Sequence, residues 1–377
     1  MRRATILIDA TVVSDRPTGI GWAAVELLRS LAARDEEDFR FRVAVRYPQA
    51  LADLATDPRW ELIEVPNGGR HLPGRWWWLT AGLDRLVRRC GADLVHTVTM
   101  PGPLRLSVPW LTTVHDLVYR VLPWTVPLRR RLWYAATVGP SLARSRLILV
   151  NSQATRQEVA THFPSLAPRI RLTRFGTPSW VLASPPAPVR PRGAPWLFVG
   201  MLEPRKNVDR LLDAYLGFRE LAAGEGELPG LIVVGAPGWR NRSLRRRLER
   251  LAAAGILELH GHADRGMLWD LYNRAGLLLF PSLHEGFGFP ILEAMAVNLP
   301  VLTGNRHAMP EVAGDAALLV DPLRVELIRD AMLRFWRDPG LAPRLAAAGR
   351  RRAAAWSWEE TARATLAAYR EALDGPV

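Results

Sequence analysis

The sequence predicts an α/β protein built from two Rossmann-like, doubly wound domains, and three observations carry that prediction. Short apolar runs alternate with longer helical stretches, the pattern of parallel sheets with crossover helices. The alternation is broken once, over 176–195, by GTPSWVLASPPAPVRPRGAP, six prolines in twenty residues, which reads as a stiff connector. A chain of 377 residues suits two domains, each with its own core, better than one. The expected divisions are an amino-terminal domain over 1–177, a linker over 178–195, a second domain over 196–355 and a closing segment over 356–377.

Taken in order, the elements justify that outline. MRRATILIDATVV sets two arginines before an apolar run, as a signal peptide would. Asp9 interrupts the run and no small-residue cleavage site follows, so TILIDA (5–10) reads as a first buried strand. GWAAVELLRSLAAR (21–34) is the clearest early helix, with Trp22, Val25, Leu28 and Leu31 at three-residue steps. RVAV (42–45), DLVH (93–96), WLTTVHD (110–116) and LILVNS (147–152) read as the remaining strands of the first half. Beyond the connector the strands are WLFVG (196–200), LIVVG (231–235), ILELHG (256–261), LLLFPS (277–282) and PVLTG (300–304). WSWEETARATLAAYREAL (356–373) reads as a final helix expected to return to the first domain.

Composition narrows the function classes. A single cysteine, Cys90, excludes an internal disulfide framework and a cysteine-based metal cluster, and fits a reducing cytosol. No segment approaches the ~20 uninterrupted apolar residues of a membrane-spanning helix. The formal charge of +13 leaves nucleic acid, anionic lipid and phosphorylated ligands as partners. The eight histidines show no paired ligand spacing and no D-x-D occurs, so no metal is expected.

Two stretches carry the chemistry. In LLLFPSLHEGFGFPILEAMA (277–296) a buried strand runs into a loop with Gly286 and Gly288, and Pro290 then opens a helix. Such glycines let backbone approach a ligand, and a helix start offers unpaired N–H groups to an anion. Glu285 precedes this cradle and Glu293 follows it, two acceptor-only carboxylates suited to sugar hydroxyls. WLFVGMLEPRKNVDRLLDAY (196–215) repeats the strand, loop and helix order and sets Arg205 beside Lys206 where the helix is expected to begin. Of 50 basic residues Lys206 is the one lysine, and the other 49 are arginine. A compact ammonium at that position, next to an Arg fork, suits a diphosphate. The bland alternatives are a solvated pair at a helix start and two ordinary helix carboxylates.

TGIGWAAVELL, TVHDL, VNSQATRQEV, GMLEPRKNVDRLLDAY, GHADRGMLWDLYNRAGLLLFPSLHEGFGFPILEAMA and MPEVAGDAALLVDP occur in the order and spacing of the family 4 retaining glycosyltransferases, which the chain therefore resembles over nearly its whole length. The resemblance implies a GT-B fold, two doubly wound domains facing a central cleft, and a nucleotide-sugar donor bound without a cofactor. Glu285 and Glu293 match the Glu-x7-Glu motif, the first facing the donor sugar and the second the ribose hydroxyls. By the same resemblance Gly286, Phe287 and Gly288 would hold the sugar through backbone amides, and Arg205 and Lys206 the pyrophosphate. Gly19 and Gly21 match a glycine loop over the phosphate, and His115 the histidine beside the reacting centre. Gly261 and His262 match the loop whose backbone reads the base. The family's glycine after the Glu-x7-Glu helix is Asn298 here, a residue that tolerates left-handed backbone. Asp116 and Ser152 read as caps, and Glu311 as a helix-start carboxylate.

The resemblance further implies retention by front-face attack, the leaving phosphate oxygen assisting acceptor deprotonation, and closure of the two domains over the donor. TGIG, EPRKN and EGFGFP together resemble bacterial polysaccharide mannosyl- and rhamnosyltransferases, which leans toward GDP-mannose. RWWWLTAGLDRLVRR (75–89) and YRVLPWTVPLRRRLWYAATV (119–138) interleave aromatics with arginines in the acceptor half. Trp with Arg suits a bilayer interface, so a glycan or lipid-linked acceptor is expected, and a cytoplasmic protein in peripheral contact with the inner face of an anionic membrane. Single-stranded nucleic acid would use the same residue types, and core tryptophans beside solvated arginines are the plain alternative. RNRSLRRRLER (240–250) reads as a solvated helix face. Three competitors remain. A sugar-nucleotide epimerase would need no acceptor surface. A nucleic-acid-binding protein would show one of the common signatures, and none is present. A nicotinamide dehydrogenase would need a full G-x-G-x-x-G, and neither glycine loop supplies one.

Overall fold

The computed structural model describes residues 3–15, 17–65, 72–183, 188–239 and 241–374. It divides into two compact units, one of Met1–Tyr119, Leu128–Gly176 and Ser357–Val377, the other of Arg120–Pro127 and Thr177–Trp356.

The first unit is organised on seven strands: β1 (Ala4–Asp9), β2 (Phe39–Val45), β3 (Trp60–Glu64), β4 (Leu94–Thr97), β5 (Trp110–Val114), β6 (Leu147–Val150) and β7 (Ile170–Leu172). Their order is β3-β2-β1-β4-β5-β6-β7 and every pairing is parallel. The strands β4, β5 and β6 are buried throughout, LILV in β6 being wholly apolar, because a parallel sheet is covered on both faces. Helix α1 (Gly19–Ala32) buries Ala24, Val25, Leu28 and Leu31. Residues 357–377 belong to this unit, and the Trp358 carbonyl accepts from Ser30 Oγ of α1 at 2.8 Å. Tyr369, on the last helix, meets His96 Nδ1 of β4 at 2.7 Å, and His96 Nε2 meets Thr113 of β5 at 2.8 Å.

The second unit holds β8 (Trp196–Val199), β9 (Leu231–Val234), β10 (Leu257–His260), β11 (Leu277–Phe280), β12 (Val301–Gly304) and β13 (Leu318–Val320) in the order β10-β9-β8-β11-β12-β13, again all parallel. Its core gathers Trp196, Phe198, Tyr215, Phe218, Leu279 and Trp336 between sheet and helices. Strand order reverses between β1 and β4 in the first unit and between β8 and β11 in the second, and ligands of open α/β sheets bind at the carboxyl ends of such strand pairs.

The proline-rich stretch expected as a linker packs as part of the second unit. Trp180, in a short helix over Ser179–Leu182, lies 6.3 Å from the Tyr272 ring, and Arg190 donates to the carbonyls of Tyr272, Asn273 and Val297 at 2.7–3.0 Å. Those charge-assisted bonds fasten the segment to its own core. Residues 184–187 of it, and Arg240 of the expected basic helix face, lie outside the described residues. Residues 120–127, placed in the amino-terminal domain by sequence, belong with the second unit, where the Thr125 carbonyl accepts from Trp239 Nε1 at 2.9 Å. Asn298 turns the chain after its helix with φ 59°, the left-handed backbone expected of a residue standing in for glycine.

Candidate active site

The loop that leaves β8 is shaped by three local constraints. Leu202 bridges to Pro237, Pro204–Lys206 form a 3-10 turn, and Asn207 follows in left-handed backbone at φ 62°. The Asn207 amide donates to the carbonyls of Pro281, at 3.0 Å, and Pro322, at 2.6 Å. Leu283 N in turn donates to the Arg205 carbonyl at 2.7 Å. The loop after β8 is thus laced to the loop after β11, across the reversal of strand order. Arg205 and Lys206, expected where the helix begins, stand in the turn immediately before helix α2 (Val208–Leu221), whose N-cap is Asn207.

This lacing brings both cations onto Glu285. Lys206 Nζ lies 2.6 Å from Glu285 Oε1, and Arg205 Nη1 lies 2.6 Å from Oε2. Arg205 also donates to the His284 carbonyl at 3.0 Å and pairs with Glu203 at 2.6 Å. Lys206 and Glu285 are each only 7% exposed, so charge on either is sustained by the other. Burial alone would raise the Glu285 pKa, but Arg205 and Lys206 outweigh it and hold the carboxyl down to about 2. Burial pulls the Lys206 ammonium below its ordinary range, with Glu285 opposing. An ammonium has three N–H donors and Lys206 uses one, on Glu285; among the described residues the other two have no hydrogen-bond acceptor, and the Phe280 ring lies 4.8 Å from Nζ. A buried cation with spare donors at a strand-end reversal is equipped to receive an anion.

Glu285 leads into Gly286, Phe287 and Gly288, and Gly288 caps helix α4 (Phe289–Ala296) with φ +105°, a conformation that favours glycine. The buried Phe287 ring anchors the loop, 5.0 Å from Phe289 and 5.4 Å from Trp356. Glu293 sits on α4, where its Oε2 accepts from the buried Tyr272 hydroxyl at 2.7 Å. Burial raises the Glu293 carboxyl to about 7, with Tyr272 and Arg265 acting the other way. Gly261 and His262 lie exposed after β10, and no hydrogen bond among the described residues ties them to the Arg205–Lys206–Glu285 cluster. Glu311 falls in the first turn of the helix Ala308–Ala313.

The other expected residues lie in the first unit. His115 follows β5 and is buried; its Nε2 donates to the Val98 carbonyl at 2.8 Å, and burial lowers its pKa, so the ring is neutral with Nδ1 as the acceptor nitrogen. Gly19 and Gly21 form the first turn of α1 and not a separate loop. A side chain at Gly21 would bring its Cβ to 3.1 Å from Pro17 Cβ, so that turn is tight. Asp116 accepts from Val118 N at 3.1 Å and Ser152 caps the helix Gln153–His162, both plain structural roles.

Two site residues escaped sequence reasoning. Asn207 had a signal, a left-handed-tolerant residue between a basic pair and a helix. Tyr272 had none, since only the fold sets it against a glutamate twenty-one residues later.

The family described as glycosyl transferases group 1 matches residues 192–352, and Glycosyltransferase Family 4 matches residues 17–176. O-antigen chain mannosyltransferase B of Escherichia coli is 33% identical over 269 residues, 69% of this chain and 70% of the relative. This chain is a family 4 glycosyltransferase. The glycosyltransferase is also 30% identical, over 327 residues, to a D-inositol 3-phosphate glycosyltransferase of Rhodococcus jostii (strain RHA1), covering 80% of its own length and 68% of the relative's. Its fold is GT-B. Anabaena Alr3699/HepE, solved in complex with UDP and glucose, matches at TM-score 0.69 and 18% identity over 98% of the glycosyltransferase and 100% of that chain.

Proposed function

We propose that this glycosyltransferase moves mannose from GDP-mannose to a hydroxyl of a glycan or lipid-linked acceptor, with retention of configuration and without a metal. The observation that carries the donor half is the buried Lys206–Glu285–Arg205 cluster, in which the ammonium holds two N–H donors in reserve. In this reading the donor diphosphate takes those donors and the Arg205 fork. Glu285, kept ionised, faces the sugar. As the C1–O bond to phosphate breaks, the diphosphate leaves with the bonding electrons and the two cations stabilise the growing charge. The acceptor oxygen bonds C1 on the same face and its proton passes to the leaving phosphate oxygen. Mannosyl transfer is supported by the relative named as an O-antigen chain mannosyltransferase, and nucleoside diphosphate binding by the fold shared with a protein solved with UDP.

The acceptor half of the proposal rests on a surface of the first unit. Trp76 and Trp77 are 47% and 46% exposed, and Leu128 and Leu132, one helical turn apart, are 62% and 59% exposed. Trp76 and Trp133 pack edge to face at 5.5 Å, which joins the two expected aromatic–basic stretches. Arg129, Arg130 and Arg131 are exposed on the same helix, Leu128–Arg144. No helix among the described residues is long and apolar enough to cross a membrane. Exposed rings and leucines beside arginines suit the headgroup layer of an anionic bilayer, so we place the enzyme on the inner face of a cytoplasmic membrane, with no role for nucleic acid.

The test is a donor screen. GDP-, UDP-, dTDP- and ADP-sugars are offered with octyl mannoside as acceptor, with and without excess EDTA. Turnover confined to GDP-mannose and indifferent to EDTA is expected. Turnover with another donor replaces the donor assignment, and loss in EDTA restored by magnesium or manganese overturns metal independence.

A further inference from the structure

Glu293 is the one carboxylate of the site that no cation holds at hydrogen-bond distance among the described residues. Its partner is a tyrosine: Tyr272, on helix α3 (Arg265–Arg274), donates to Oε2 at 2.7 Å. The other oxygen, Oε1, carries no hydrogen bond among the described residues. Tyr272 is itself fixed. It is completely buried, and the ring of the half-buried Trp180 lies 6.3 Å away. Arg265, at the start of α3, stands with its guanidinium 6.0 Å from the Trp180 ring. A chain of packed side chains therefore runs from Arg265 through Trp180 and Tyr272 to Glu293.

We propose that Tyr272 is a positioning residue for donor recognition, pinning one oxygen of Glu293 so that the other is presented as an acceptor to the vicinal hydroxyls of the donor ribose. This rests on the reading above that a nucleoside diphosphate binds in the second unit. An ionised carboxylate is acceptor-only and each ribose hydroxyl has one O–H to donate, so an ionised and oriented Glu293 can accept from the diol. The tyrosine hydrogen bond serves both needs, because a bond donated to a carboxylate favours its charged form. Burial pulls Glu293 the other way, toward a neutral acid that would present a proton to the diol instead of a lone pair. Tyr272 and Arg265 are the groups that oppose burial, and Tyr272 stays protonated because burial and Glu293 both push its own pKa up. Trp180 gives the short helix at the head of the proline-rich segment a part in the same assembly.

Calorimetric titration of GDP and UDP from pH 6 to 9 tests this, the tighter nucleotide carrying the comparison with its 2′,3′-dideoxy form. Tyr272→Phe keeps the ring and removes the donor. It is expected to weaken binding about tenfold near pH 7, to move the pH midpoint of binding upward, and to narrow its defect as pH rises. The dideoxy nucleotide should bind wild type and Tyr272→Phe alike. Glu293→Gln should weaken the ribonucleotide at every pH. Wild-type affinity and an unmoved midpoint in Tyr272→Phe, with Glu293→Gln impaired, would overturn the positioning role alone. Wild-type affinity in Glu293→Gln would overturn the ribose assignment, and failure of both nucleotides to bind the wild type would overturn the donor site itself. Should Tyr272→Phe fail to fold, Trp180→Phe takes its place, with the same expected upward shift and the same overturning result.

Discussion

Position 206 is where a chain with 49 arginines keeps its one lysine, and the surroundings explain the choice. A guanidinium at this depth would bring five N–H donors in a rigid plane against Glu285 and the Phe280 ring, whereas the ammonium meets one acceptor and keeps two rotatable donors. Lys206→Ala should weaken nucleoside diphosphate binding and lower turnover by about 10²–10³, and Lys206→Arg should recover part of that; wild-type turnover in the Ala variant would remove the lysine from the mechanism. Glu293 supplies a second prediction. Its carboxyl, raised to about 7 from an ordinary 4.5, contributes stability at low pH that is lost as pH rises through about 7. Glu293→Gln should therefore raise the melting temperature of the ligand-free protein at pH 8 and leave it unchanged near pH 4. An equal change at both pH values would contradict the burial effect. Lys206 and Glu285 were legible because each stands in a contiguous motif; Tyr272 was not, because its partner is reached only through the fold.

At the scale of elements, the sequence revealed the long apolar runs and hid the short or charged ones. β6 and β11 read as LILV and LLLF and are buried throughout. β3 reads WELIE, with charges at its second and fifth positions, and is recognisable as a strand only once Trp60 is seen stacked on Phe41 of β2 at 4.2 Å. β7 and β13 have three residues each, too few for any periodicity, and both lie at the ends of their sheets. The two basic residues of EPRKN were expected where a helix begins, and they stand in the 3-10 turn just before it; Asn207, whose amide donates to the carbonyls of Pro281 and Pro322, starts the helix. Asn298 makes the same point for the turn after α4. Its φ of 59° should make Asn298→Gly nearly neutral and Asn298→Val destabilising by about 1–2 kcal/mol, read as a lower melting temperature. Equal melting temperatures for the two variants would contradict the left-handed turn.

For the whole molecule, the family likeness made two doubly wound units legible, with Arg205, Lys206, Glu285 and Glu293 in the second of them. It could not show that the proline-rich stretch is fastened by Arg190, since the three carbonyls that hold it come from two distant segments. The exposed arginines of the helix Leu128–Arg144 bear on the membrane contact proposed above. Vesicles of phosphatidylglycerol should bind the protein reversibly, less as salt rises, and replacing Arg129, Arg130 and Arg131 with Gln should weaken that binding while sparing GDP. Equal binding to neutral phosphatidylcholine vesicles at every salt concentration would contradict an electrostatic contact.

Retaining transfer from a nucleotide sugar is tested by the anomeric configuration of the product. Proton NMR of the product formed from α-configured GDP-mannose and octyl mannoside should show an α linkage, with nucleoside diphosphate released in equal amount. A β linkage would contradict retention, and no transfer from any nucleotide sugar would contradict the donor site built on Arg205, Lys206 and Glu285.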